Sequence, residues 1–267
     1  MAIPIHGPRE GYWGSRLAPK IGDRFCGWKE EPKKMLPFFH VEEDGWQHVG
    51  DVEDRDKFHL IIFGGSVAFG AYASDLQKTY FSVMVRELKK RGIPIYVTIM
   101  AVGGWWSTHE VAAWATEGVG LNPHAVMFLD GLNDLTNPKE QPMVSRSKMY
   151  ISNMGIAEML AKRNSAKVIY ALQPFLPSKK IKTGIEKRIL ELSGDEKLLV
   201  EHHGIIAEWL KNRHGDDIFL IDCSDIFTEE KETTFADIWH FSDPAHEMLG
   251  KHLAEHLYPI LSLPIKQ

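Results

Sequence analysis

From residue 58 onward, short apolar runs alternate with amphipathic stretches, and this alternation restricts the fold more than any other feature. Residues 58–63 are an apolar run closed by glycines, the pattern of a buried parallel strand. Ser74 and Gln77 have capping-box spacing and open a helix that reaches about Arg91, where Gly92 and Pro94 stop it. Residues 95–101 make a second strand, and Ser107 with Glu110 form a second capping box that opens a helix to about Gly118. Strands at 125–129, 167–172 and 218–221 follow, with helices at 144–163 and 195–213 between them. The last helix starts at Asp243, an N-cap with Pro244 in the first turn, and runs to about Leu257.

Five strands, each followed by a helix, predict an α/β chain: a three-layer α/β/α sandwich around a five-stranded parallel sheet. The first 57 residues have no sustained period and read as an irregular arm packed on a single domain spanning 58–267. Trp13, Trp28, Phe38, Phe39 and Trp46 are its expected anchors.

Composition excludes several classes. A net charge of −5 and scattered lysines do not make a phosphate-binding surface, so no nucleic-acid partner is expected. The clusters Lys33-Lys34, Lys89-Lys90-Arg91 and Lys179-Lys180 read as solvated faces. Cys26 and Cys223 lack ligand spacing and read as buried free thiols, so neither a disulfide framework nor a zinc site is expected, and no cofactor. Residues 1–22 hold no apolar leader core, and no run is long enough to span a bilayer. The chain therefore reads as soluble and, by default, cytoplasmic; an exported protein trimmed of its leader reads the same way. The oligomeric state is not legible.

In open α/β sheets, ligands sit outside the carboxyl ends of the strands. Ser66 follows the first strand, Gly104 the second and Asn133 the third, and Asp237 and His240 lie in the loop after the fifth. All five fall on one edge. A serine there can attack a carbonyl if a base takes its proton, and His240 suits that role. Its second ring nitrogen needs an acceptor, which Asp237 or a backbone carbonyl can supply. The Ser66 N–H, the Gly104 N–H and the Asn133 side-chain amide are candidate oxyanion donors.

These blocks, Ile62-Phe63-Gly64-Gly65-Ser66, Val102-Gly103-Gly104, Gly131-Leu132-Asn133-Asp134 and Asp237-Ile238-Trp239-His240, resemble in their order the SGNH (GDSL-type) hydrolases. The resemblance covers about residues 58–258. It implies a flavodoxin-like SGNH fold, with Ser66 as nucleophile, His240 as base and Asp237 as its orienting group. Ser66, Gly104 and Asn133 would donate to the oxyanion. The sequence departs at Gly65, where many members carry Asp, and at Ile99 and Ala101, where Asn and Gly are common. The resemblance further implies an acyl-enzyme esterase acting on an O-acyl ester, in particular an O-acetyl ester on a carbohydrate. Trp105 and Trp106 are candidates for a sugar- or acyl-stacking wall, and burial of at least one of them against the sheet is an equal alternative.

Other readings remain. The same groups serve an acyltransferase. An α/β-hydrolase elbow reads G-x-S-x-G, and Ala68 stands at its last glycine. Gly64-Gly65-Ser66 can also cradle a phosphate in a non-enzymatic module, without the lysine of a P-loop. His202, His203 and His246 read as structural, and His109 as a residue near the cleft. Residues 175–194 read as a solvated connector or a flap on the same edge.

Overall fold

The computed structural model describes residues 20–24, 26–30, 34–36, 39–136, 142–193, 196–213 and 215–262. Its centre is a six-stranded sheet, one strand more than the sequence pattern predicts. In chain order the strands are β1 (Gln47–Val49), β2 (His59–Gly64), β3 (Tyr96–Ala101), β4 (Ala125–Asp130), β5 (Lys167–Leu172) and β6 (Ile218–Asp222). The spatial order is β6-β5-β4-β2-β3-β1. β2 to β6 are parallel to their neighbours, and β1 runs antiparallel to β3, pairing Gln47 with Ile99 and Val49 with Val97. The extra strand comes from the segment before residue 58. It is three residues long and begins Gln-His, so it carries no apolar run to betray it, yet it covers the open edge of β3.

Among the described residues, six helices of eight residues or more flank the sheet: α1 (Tyr80–Lys90), α2 (Ser107–Thr116), α3 (Met143–Arg163), α4 (Gly184–Ser193), α5 (Lys197–Lys211) and α6 (Asp243–Leu261). Period-two alternation in the strands divides the core. Leu60, Ile62, Ile99, Met127 and Ile169 pack under α1 and α6, against Phe81, Met84, Leu249 and Leu253. Ile61, Phe63, Val126, Phe128 and Val168 pack under α2, α3 and α5, against Trp114, Met154 and Ile206.

Several local expectations are corrected. Thr79, not Ser74, caps α1, after a 3-10 turn at Leu76–Lys78. Ser107 and Glu110 form no capping box: Trp106 is the N-cap of α2, Ser107 bonds Asp134, and Glu110 is buried. Ser242 occupies the N-cap of α6, which leaves Asp243 free to bind Ser74. The segment after β5 is a 3-10 turn and then α4, not a solvated connector, and Lys179 is buried rather than solvated. Lys89, Lys90 and Lys180 lie on the surface as expected. Lys33 lies outside the described residues, as does the Lys34 side chain. Both cysteines are buried free thiols. Of the arm's aromatics, Trp46 is buried edge-on to Trp105 and donates its indole N–H to Glu117 at 3.1 Å. Trp13 and Phe38 lie outside the described residues, as do the side chains of Trp28 and Phe39. No helix among the described residues is long and apolar enough to cross a membrane.

Candidate active site

The strand order reverses between β2 and β4, and a crevice at such a switch point opens on the carboxyl edge. Ser66 leaves β2 there, in a tight turn where the N–H groups of Phe69 and Ala71 donate to the carbonyls of Gly65 and Ser66 at 3.0 Å each. Ser66 Oγ lies 2.7 Å from His240 Nε2. His240 Nδ1 lies 2.7 Å from Asp237 Oδ2, so a carboxylate, not a backbone carbonyl, orients the ring. Asp237 Oδ1 accepts the N–H groups of Trp239 at 2.7 Å and His240 at 2.8 Å, which folds the loop around its own carboxylate. Burial works against that charge, but the His240 ring and these donors outweigh burial and hold the carboxyl below its ordinary value. With Asp237 ionised, the Nδ1 proton faces it and Nε2 is left to accept from Ser66.

Asn133 stands at the end of the β4 turn and donates its side-chain amide to Trp105 O at 2.6 Å. A Cβ on Gly65 would come within 2.0 Å of Asn133 Nδ2 and 3.1 Å of Trp105 O, so a side chain there would have to displace the amide. Gly104 lies in the turn closed by Trp105 N–H to Val102 O at 3.0 Å, with φ at +88°, a backbone region that favours glycine. The serine, histidine and aspartate thus form one hydrogen-bonded chain, and Asn133 lies over the backbone beside the serine.

The aromatic wall is corrected. Trp105 is fully buried, edge-on to Trp46 and stacked on His109, and presents no face to a ligand. Trp106 is half-buried, its ring 4.0 Å from that of His109. Burial pushes His109 down to about 4, so it is neutral. His203 is buried against Phe175, His202 meets Ser147, and His246 reaches Ala71 O at 3.1 Å; all three are structural.

Three groups lie around the site beyond the candidate residues. Tyr72, with φ at +75°, stacks on the His240 ring at 4.5 Å and 15°. Glu186 is buried against the loop that carries His240. Behind Asn133 sits a set of fully buried acids, Glu110, Asp130 and Asp134. A cavity of about 610 Å³ lies at the opposite, amino ends of β4, β5 and β6, lined among others by His124, Lys162 and Asp217, and it holds none of the candidate residues.

No family model matches this chain, and no curated protein is similar to it in sequence. Solved structures are similar in shape. An acetyl xylan esterase, AlAXEase, is 15% identical, with 75% of this chain and 100% of that one covered and a TM-score of 0.57. A lipase/acylhydrolase from Enterococcus faecalis is 17% identical, covering 79% and 99%, with a TM-score of 0.55. A lipolytic protein of the G-D-S-L family from Desulfitobacterium hafniense DCB-2 is 14% identical, covering 74% and 98%, at 0.51. The chain has the GDSL-type hydrolase fold. Within that fold, Ser66, Asn133 and the Asp237–His240 loop all stand at the carboxyl edge of the sheet.

Proposed function

We propose that the protein is a serine ester hydrolase that works through an acyl-enzyme. The observation that carries this reading is the chain Ser66–His240–Asp237, with 2.7 Å at both links. Ser66 Oγ attacks the ester carbonyl while His240 Nε2 takes its proton. The tetrahedral oxyanion is met by the Asn133 amide and the backbone N–H groups of Ser66 and Gly104. His240 then returns the proton to the leaving alkoxide, which departs and leaves the acyl group on Ser66. Water, activated by the same imidazole, releases the acid. Asp237 stays ionised throughout, orienting the ring and stabilising the imidazolium.

The favoured substrate is an O-acetyl ester on a carbohydrate. Its support is the name of a fold relative, an acetyl xylan esterase, and no longer Trp105. The reaction is tested with p-nitrophenyl acetate on the wild type and Ser66→Ala; equal rates contradict it. Acetate release from acetylated xylan, compared with release from a long-chain acyl ester, tests the substrate.

A further inference from the structure

The loop presenting Asp237 and His240 is tied at its base to the segment between β5 and α4 by one carboxylate. Glu186 is fully buried, as is Lys179, whose ammonium lies 2.8 Å from each of its oxygens. Glu186 Oε1 also accepts from Thr234 N at 2.9 Å, Thr234 Oγ1 at 3.1 Å and Phe235 N at 3.3 Å. Its Oε2 accepts from Thr183 N at 2.9 Å. Lys179 donates in addition to Glu232 O at 2.6 Å.

The held residues lead directly to the base. Phe235 forms an antiparallel bridge with Phe241, Ala236 N donates to His240 O at 2.9 Å, and Ser242 N donates to Thr234 O at 2.8 Å. Residues 234–242 are therefore a closed loop, with Asp237 and His240 toward its tip and Glu186 at its root. We propose that Glu186, neutralised by Lys179, is a positioning residue that fixes the register of this loop and so holds His240 against Ser66. The proposal rests on the reading of those two as base and nucleophile.

The chemistry requires a carboxylate. Every neighbour of both oxygens is a donor, so an amide in its place sets an N–H₂ against Lys179 and Thr183 or against Thr234. Burial opposes the charge, yet Lys179 and the backbone donors outweigh it and hold the carboxyl below its ordinary value. Glu186 touches neither Ser66 nor His240, so its effect passes through the backbone.

The test combines two readouts. Ring-nitrogen NMR shifts report the His240 tautomer without substrate, and p-nitrophenyl acetate gives kcat and KM. In Glu186→Gln the single Nδ1–H tautomer is expected to give way to a mixture. The expected fall in kcat is about tenfold to a hundredfold, the size of effect a remote misplacement produces, with KM unchanged. Glu229→Gln, at the surface pair with Lys180, is the control and should move neither readout. Lys179→Met/Glu186→Leu removes both charges together, leaving no buried ion unpaired, and decides the matter if the single variant does not fold. Folded variants with wild-type tautomer and kcat would overturn the proposal. Ser66→Ala separates the two readings: wild-type turnover there rejects the catalytic assignment, while the tautomer still judges the loop.

Discussion

The two sides of the site are each braced by buried carboxyl groups, and the two sets deal with their charge in opposite ways. Behind His240, Glu186 meets a lysine and four other donors and stays ionised. Behind Asn133, Glu110, Asp130 and Asp134 are fully buried and make no ion pair among the described residues. Asp134 instead accepts from Ser107 N at 3.0 Å and from the Ser107 hydroxyl, tying the start of α2 to the Asn133 turn. Asp130 accepts from Tyr150 at 2.8 Å. The Glu110 oxygens make no well-formed hydrogen bond, and burial together with the charge of Asp130 pushes this carboxyl well up. One side is neutralised by a cation; on the other, burial pushes all three carboxyls above their ordinary values and so favours retained protons. A cation makes a permanent multiple acceptor; a proton makes a brace that titrates.

The pH consequences have opposite signs. Asp134 is pushed up to about 7, first by burial and then by Asp130. It binds its proton more tightly folded than unfolded, so its contribution is complete below about 3.8 and is lost as pH rises toward about 7. Glu186 is held low, so its contribution is present above the ordinary carboxyl range and is lost as pH falls through its folded value.

The comparison can be broken by four substitutions, from the largest expected effect to the smallest. Lys179→Met leaves a buried carboxylate without its cation and should destabilise by about 3–5 kcal/mol in urea unfolding. A loss no larger than that of a surface substitution would mean that Glu186 simply takes up a proton, as the other side does. Asn133→Ala should lower kcat about a hundred- to a thousandfold with the fold intact, the usual effect of removing one oxyanion donor. Asp134→Asn keeps one acceptor for Ser107 and loses the other, at about 1–3 kcal/mol. It should also flatten the decline in stability between about pH 4 and about pH 7, and an unchanged slope would remove Asp134 from the titrating set. Glu110→Gln exchanges an already neutral group for another, and its stability should move by no more than about 1 kcal/mol. A loss as large as that of Lys179→Met would show that Glu110 is charged.

The same contrast separates what the sequence discloses from what it conceals. The parallel strands and the serine, asparagine and histidine at their ends are legible, because apolar runs and strand-end loops are local patterns. β1 is not: three residues with one apolar side chain have no period, and only the exposed edge of β3 gives them a partner. Lys179 looks solvated beside Lys180, since its burial depends on Glu186 and on a loop over fifty residues away. The Ser107 and Glu110 spacing is a good capping signal, overridden because Ser107 bonds Asp134 in the turn after β4 and Trp106 takes the N-cap. Trp105 reads equally well as wall or core, and Trp46 from the arm decides for core.

The account turns on Ser66 as an activated nucleophile, and a fluorophosphonate probe followed by intact mass and peptide mapping tests that directly. The expected result is one adduct per chain, on Ser66, lost in Ser66→Ala and strongly slowed in His240→Ala. A chain that takes up no probe, or takes it up equally well in Ser66→Ala, would contradict the account.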